Sequence, residues 1–171
     1  MKWSHVSAIT TVFLLAASPC RADDPLYKAK EGSLDMFASY IAAERGISHL
    51  FDTDIRHGNW GGGVGVNYFA TMNFGIGYDI NIPKNGGTFI DSQTTNLIFR
   101  KPLGESGLSP YLFGGGGRSY DPVSQWIAQV GVGLEYRSSP KMGLILDGRY
   151  VWGQNSSTDI LFLRAGLRFL F

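Results

Sequence analysis

The chain has 171 residues, of which 44% are hydrophobic, 13% aromatic and only 17% charged, below the roughly 25% usual for soluble domains. Fifteen Lys and Arg against 14 Asp and Glu give a formal charge of +1, which leaves no basic footprint for a nucleic-acid partner. Its single cysteine, Cys20, excludes an internal disulfide.

At the N-terminus, Lys2 precedes an apolar run from Val6 to Ala17, followed by Pro19 and the small residues Cys20 and Ala22 before Asp23-Asp24-Pro25. This pattern predicts a secretory signal peptide over 1–22, cleaved after Ala22. The run is too short to cross a bilayer as a helix. Pro19, where a small residue is wanted, argues against a lipoprotein reading of Cys20. The expected mature chain, 23–171, has 149 residues and no cysteine, so thiol nucleophiles and thiolate metal sites are excluded from it. Losing Lys2 and Arg21 leaves 13 basic against 14 acidic residues, a formal charge of −1.

After a polar lead, Asp23 to Ser33, alternation predicts eight strands: 34–42, 58–69, 72–82, 88–101, 108–118, 124–136, 142–153 and 159–171. Most have the ~9–11 residues or more that a tilted membrane strand needs, longer than soluble strands usually run. No linker or composition shift divides them, so 23–171 reads as one domain. The clearest alternation puts Met72, Phe74, Ile76, Tyr78, Ile80 and Ile82 opposite Asn73, Asp79 and Asn81. Likewise Trp126, Val130, Val132, Leu134 and Tyr136 face away from Gln129 and Glu135, and Leu144, Leu146, Tyr150 and Trp152 away from Asp147 and Arg149. The last strand sets Leu163, Ala165, Leu167, Phe169 and Phe171 against Arg164 and Arg168.

Period-two alternation alone does not say which face is inside. Aromatic residues near the strand ends, Trp60, Tyr68, Tyr78, Trp126, Tyr136, Tyr150 and Trp152, fit the two girdles of a membrane barrel. The opposite face, rich in glycine and charge, fits a narrow lumen. The fold expected is therefore all-β, an eight-stranded antiparallel up-and-down transmembrane β-barrel. Its lumen would hold a structural charge network of Asp147, Arg164, Glu135, Arg168, Arg149 and Asp79, with position 147 opposite about 165 and Glu135 level with Arg168. Phe37, Phe69, Asn67 and Gln129 are further lumen candidates. With the N-terminus periplasmic, the connections at 69–71 and 137–141 become short periplasmic turns, and Lys101–Leu108 an unusually long one.

The segment Gly63–Ile82, the strand Ser109–Gly117 and the aromatic chain end resemble the small eight-stranded outer-membrane barrels typified by the OmpA membrane domain and OmpX, within the porin-like outer-membrane proteins. The resemblance spans essentially all of 23–171. It implies an integral outer-membrane location, outer-membrane lipid and lipopolysaccharide as surroundings, a monomer, and an assembly signal at Phe169 and Phe171 read by the barrel-assembly machinery. Because this fold hosts several activities, the resemblance identifies an architecture more than an activity; the role expected is non-enzymatic, in envelope integrity or surface interaction. No cofactor, metal or catalytic residue is expected.

Two alternatives stand beside that expectation. A lipid A modifying enzyme of deacylase type would need a His and a Ser two residues apart on a late strand. The corresponding stretch, Leu146–Ser157, holds no histidine. A palmitoyltransferase type would use a loop histidine, and His49 and His57 do fall in the first long loop beside Ser48, Asp52 and Asp54. The second alternative is a small low-conductance channel, opposed by bulky lumen side chains in a barrel of only eight strands. The glycine runs at 61–63 and 114–117 lack the Lys-Ser/Thr of a phosphate-binding loop.

Overall fold

The computed structural model describes residues 25–44, 60–83, 90–120, 124–154 and 159–171. The expected signal peptide at 1–22, the loop residues His49 and His57 and the polar tip at 155–157 lie outside the described residues. Eight strands follow one another: β1 Glu31–Glu44, β2 Trp60–Phe69, β3 Phe74–Pro83, β4 Ser92–Arg100, β5 Leu108–Ser119, β6 Gln125–Ser139, β7 Met142–Gly153 and β8 Ile160–Leu170. Each is antiparallel to its neighbours in sequence, and β1 also pairs with β8, so the sheet closes on itself. Closure leaves no strand edge, which satisfies every ladder without help from solvent.

The connections divide between the two ends of the barrel. The turns at 70–73, 101–107 and 140–141 share one end with the start of β1 and the close of β8. The opposite, loop end carries 45–59, 84–91, 120–124 and 154–159. The long turn at 101–107 is itself a tight hairpin, in which Leu103 N–H bonds to Leu108 O at 2.8 Å and Gly104 and Gly107 take positive φ of 58° and 72°. Only glycine adopts those angles without strain.

Most boundaries lie within two residues of the sequence expectation, and three differ by more. β1 starts at Glu31 rather than 34, because Glu31 and Ser33 continue the inward phase and are fully buried, so a polar lead is what this interior selects. β4 starts at Ser92 rather than 88. β6 continues to Ser139, with a bulge between Arg137 and Ser139, so Arg137 is a strand residue aimed inward rather than part of a turn.

Burial alternates along most of each strand, but in the opposite sense to a soluble protein. Leu97, Val132 and Leu146 are 73%, 66% and 60% exposed, whereas Arg100 and Glu135 are at 0%. Aliphatic side chains form the outer waist, including Val64, Val66, Ile76, Leu112, Val130, Leu134, Leu144 and Leu163. Aromatics flank it above and below: Tyr68, Phe74 and Tyr136 toward the turn end, Trp60, Trp126 and Trp152 toward the loop end. Two contacts tie these rings across strands, Tyr40 to Trp60 with centroids 5.1 Å apart and Phe74 to Phe99 at 4.9 Å.

Inside, size is managed by pairing each inward ring with an inward glycine on the next strand. Phe37 lies over Gly63, Phe69 over Gly75, Phe113 over Gly131 and Tyr111 over Gly133. A Cβ at Gly63 or Gly75 would fall 2.6 or 2.7 Å from the facing ring, closer than atoms pack. On β5 the glycines admit backbone instead: a Cβ at Gly115 would come 2.8 Å from Asn96 Cα, and one at Gly117 2.7 Å from Thr94 Cα. Outward Gly114 has no such neighbour, the nearest atom being 3.7 Å away. We expect Gly115→Ala and Gly117→Ala each to destabilise the refolded barrel by about 1–3 kcal/mol, the usual cost of overpacking, and Gly114→Ala to change it by less than about 0.5 kcal/mol. Urea midpoints that are the same for all three would contradict the packing.

Candidate functional site

No group of three or more His, Cys, Asp or Glu among the described residues is arranged to hold a metal ion. The chemistry of the described barrel is concentrated in its lumen. Five arginines, Arg100, Arg137, Arg149, Arg164 and Arg168, face five carboxylates, Glu31, Asp35, Asp79, Glu135 and Asp147, and none of the ten is more than 5% exposed. The formal charges cancel. Every described lysine is exposed, consistent with arginine's rigid fork being the group that satisfies several acceptors at once.

At the turn end, Arg137 binds Glu31 with Nη1 at 2.8 Å from Oε2 and Nη2 at 2.8 Å from Oε1, and its Nε reaches Glu135 at 2.5 Å. Arg100 completes this layer, with Nη1 3.0 Å from Glu31 Oε1 and the guanidinium 3.6 Å over the Phe69 ring. A strap ahead of β1 seals the layer from below. Tyr27 is 6% exposed, donates its hydroxyl to Gly107 O at 2.7 Å, and lies 4.1 Å from Arg137 and 5.1 Å from Arg100. The carbonyls of Leu26 and Lys28 accept from Arg137 and Arg100 at 2.6 and 3.3 Å. Burial, and then the Glu135 carboxylate, push the Tyr27 phenol well above its ordinary value, so it remains a neutral donor.

One layer up, Arg168 bridges Asp35 at 2.6 Å and Glu135 at 2.7 Å, while Asn67 donates to Asp35 at 2.9 Å. Above that, Asp147 receives Arg164 through Nε at 2.9 Å and Nη2 at 2.7 Å, Arg149 at 3.4 Å and the Tyr111 hydroxyl at 2.9 Å. Asp79 lies 3.1 Å from Arg149 and 3.3 Å from Arg164. Gln129 then carries the network to Asn96 at 2.6 Å and Thr94 at 2.9 Å. Rings cap the cations from the side, Arg164 over Phe37 at 4.2 Å and Arg149 over Phe113 at 4.7 Å.

The structure thus brings together all six charged lumen residues expected from sequence. It pairs Asp147 directly with Arg164 in register, one position from the 165 expected. The reading from sequence missed Glu31, Asp35, Arg100, Arg137 and Tyr27. The first four share the inward phase of their strands with Ser33, Phe37, Ile98 and Glu135, a signal present in the alternation. Of the aromatics expected in girdles, Trp60, Tyr68, Tyr78, Trp126, Tyr136 and Trp152 are exposed outward, and Tyr150 is half-buried with its hydroxyl 3.0 Å from Asp159. Phe169 is half-buried on the same face. Phe171 lies beside β1, exchanging two backbone hydrogen bonds of 3.0 Å with Gly32.

Removing one member of a buried ion pair typically costs about 3–5 kcal/mol, because the other charge is left uncompensated. Asp147→Ala and Arg164→Ala should each destabilise the barrel on that scale, and the double variant by clearly less than the sum. A double-mutant cycle in urea measures the coupling. Strict additivity would mean that the two side chains do not interact.

No family model matches the chain, and no curated protein does. Solved structures do. The N-terminal β-barrel domain of Pseudomonas aeruginosa OprF is similar with a TM-score of 0.62 at 14% identity, over 84% of this chain and 99% of that one. The outer membrane protein OprG of Pseudomonas aeruginosa gives 0.58 at 12% identity, over 86% and 99%. A de novo designed transmembrane β-barrel gives 0.59 at 16% identity, over 84% and 98%. At these identities the likeness establishes architecture: the chain has the closed, all-antiparallel eight-stranded fold of the small outer-membrane barrels.

Proposed function

We propose that this protein is an integral outer-membrane β-barrel of non-enzymatic, envelope-structural role, exported by its signal peptide and working as a monomer. The observation that carries the reading is the inverted polarity of the barrel, aliphatic outside and charged within. A soluble protein exposing such a continuous aliphatic waist would aggregate, whereas hydrocarbon makes the same surface its stable state. Further support comes from the aromatic residues above and below the waist and from the fold shared with OprF and OprG.

The role proposed is structural because the lumen is filled. Ten charged side chains, with the rings of Phe37, Phe69, Tyr111 and Phe113, occupy the bore, and the Tyr27 strap closes its turn end. Stable conductance is therefore the disfavoured reading; lipid A modification through His49 or His57, which lie outside the described residues, is the other alternative, and both are measurable. Phe171, paired with β1 at the closing seam, is proposed as the end that the barrel-assembly machinery reads.

Four sets of measurements test this. Spin labels at positions 146 and 130 should be relaxed by a lipid-soluble quencher, and labels at 147 and 129 should not; the reverse pattern would overturn the membrane reading. Leu146→Arg should cost about 2–4 kcal/mol if that position lies at mid-bilayer. Phe171→Asp should lower the amount of heat-modifiable barrel in cells far more than it changes the stability of refolded protein. Planar-bilayer conductance and the lipid A mass spectrum, with and without the protein, should both be unchanged; steady channel steps or a shifted acylation pattern would replace the structural role with a channel or an enzyme.

A further inference from the structure

Apart from Ser138 at the turn end, the non-aromatic polar side chains that point outward from the described strands gather in one place: Gln93 and Thr95 on β4 and Arg118 on β5. With Tyr78, Tyr120 and Trp126 they surround a recess of about 610 Å³ toward the loop end, floored by the bare backbone of Gly116 and Gly117. That volume is within the roughly 300–1,000 Å³ of ordinary small-molecule sites. These groups stand level with Trp126, the cross-strand partner of Arg118, where the aromatic girdle of such a barrel meets the headgroup layer.

Some of these groups satisfy one another. Tyr78 donates its hydroxyl to Gln93 Oε1 at 2.6 Å, and Gln93 Nε2 donates to the Tyr120 hydroxyl oxygen at 2.5 Å. What remains is an excess of donors. The Tyr120 hydroxyl accepts in this chain of bonds, and the Thr95 hydroxyl is exposed on the same wall. Arg118 gives one N–H to Ser124 Oγ at 3.1 Å and lies 5.9 Å from the Trp126 ring, with no carboxylate in reach among those residues. Below the donors the surface turns aliphatic: Leu97, Leu112 and Val130 stand around outward Gly114, where no side chain fills the wall. The recess is therefore cationic and donor-rich at the loop end and apolar toward the waist. That polarity is complementary to an anionic headgroup carrying acyl chains. A second copy of the barrel would bring another Arg118-bearing, donor-rich wall and supply no acceptor.

We propose that this recess binds one phosphorylated acyl glycolipid of the outer leaflet, with a phosphate on Arg118, Thr95 and Tyr120 and an acyl chain along the Gly114–Gly116 strip. The proposal rests on the outer-membrane reading, which puts the loop end outside. Refolded full-length barrel in mild detergent, incubated with purified lipid A and examined by native mass spectrometry, should retain one lipid A per barrel. Arg118→Gln and Thr95→Phe, the first removing the charge and the second filling the recess, should each reduce retention at least about tenfold. Lys101→Gln, an exposed cation at the turn end, should not. Phosphatidylglycerol, which offers a phosphate without the acylated disaccharide, should be retained less than lipid A. Heat-modifiable mobility establishes that each variant is folded. Absence of retained lipid A in the wild type, retention undiminished in both recess variants, equal retention of phosphatidylglycerol, or a barrel dimer in place of the adduct would each overturn the site. The quenching pattern at 146 and 147 is independent of this binding, so a failed site and a failed membrane reading are separable.

Discussion

Ten buried charges inside an eight-stranded wall can coexist only if they balance, and that requirement organises the rest of the molecule. Five arginines and five carboxylates are stacked in layers, each guanidinium touching more than one acceptor. The bore then has little room for other bulk, so glycines line it wherever a ring or a neighbouring backbone approaches, as at Gly131 beneath Phe113 and Gly115 against β4. An interior consumed by charge leaves the hydrophobic residues nowhere to go but outward. The aliphatic waist is the other half of the same arrangement, and it commits the protein to an apolar solvent.

The same arrangement underlies the structural role proposed above. A lumen that conducted would have to break these ion pairs. Asp147, for example, is held by two arginines and a tyrosine hydroxyl. The strap through Leu26, Tyr27 and Lys28 adds a second closure at the turn end, made by main-chain carbonyls as well as a ring.

Much of this was legible in sequence because side-chain direction in a strand has a period of two, and the strands keep it apart from bulges near Ala42 and Ser138. Asp147 and Arg164 could be paired in advance because a short hairpin connection restricts the register to within a residue. Arg168 and Glu135 followed from the same reasoning. What escaped were contacts that strand counting does not reach. Arg137 reads as part of a turn, since Arg-Ser-Ser-Pro-Lys is rich in turn formers, yet it continues the inward phase of Glu135, and the strand runs on through a bulge to Ser139. Glu31 was assigned to a polar lead because polarity there suggested solvent, although in this molecule polarity marks the inside. Tyr27 has no periodic partner at all, and its place is set by two arginines more than 70 residues away in the chain.

Those separations govern how the barrel can be made. Asp35 meets Arg168 across 133 residues, and Arg137 meets Glu31 across 106, so the first strand's charges find their partners only when the last strands arrive. A half-built sheet of β1 to β4 would present Glu31, Asp35 and Asp79 to the bilayer with Arg100 alone to answer them. In the outer-membrane reading, these charges stay unmatched until the β1–β8 seam closes, so closure of that one seam completes both the ladder and the charge balance.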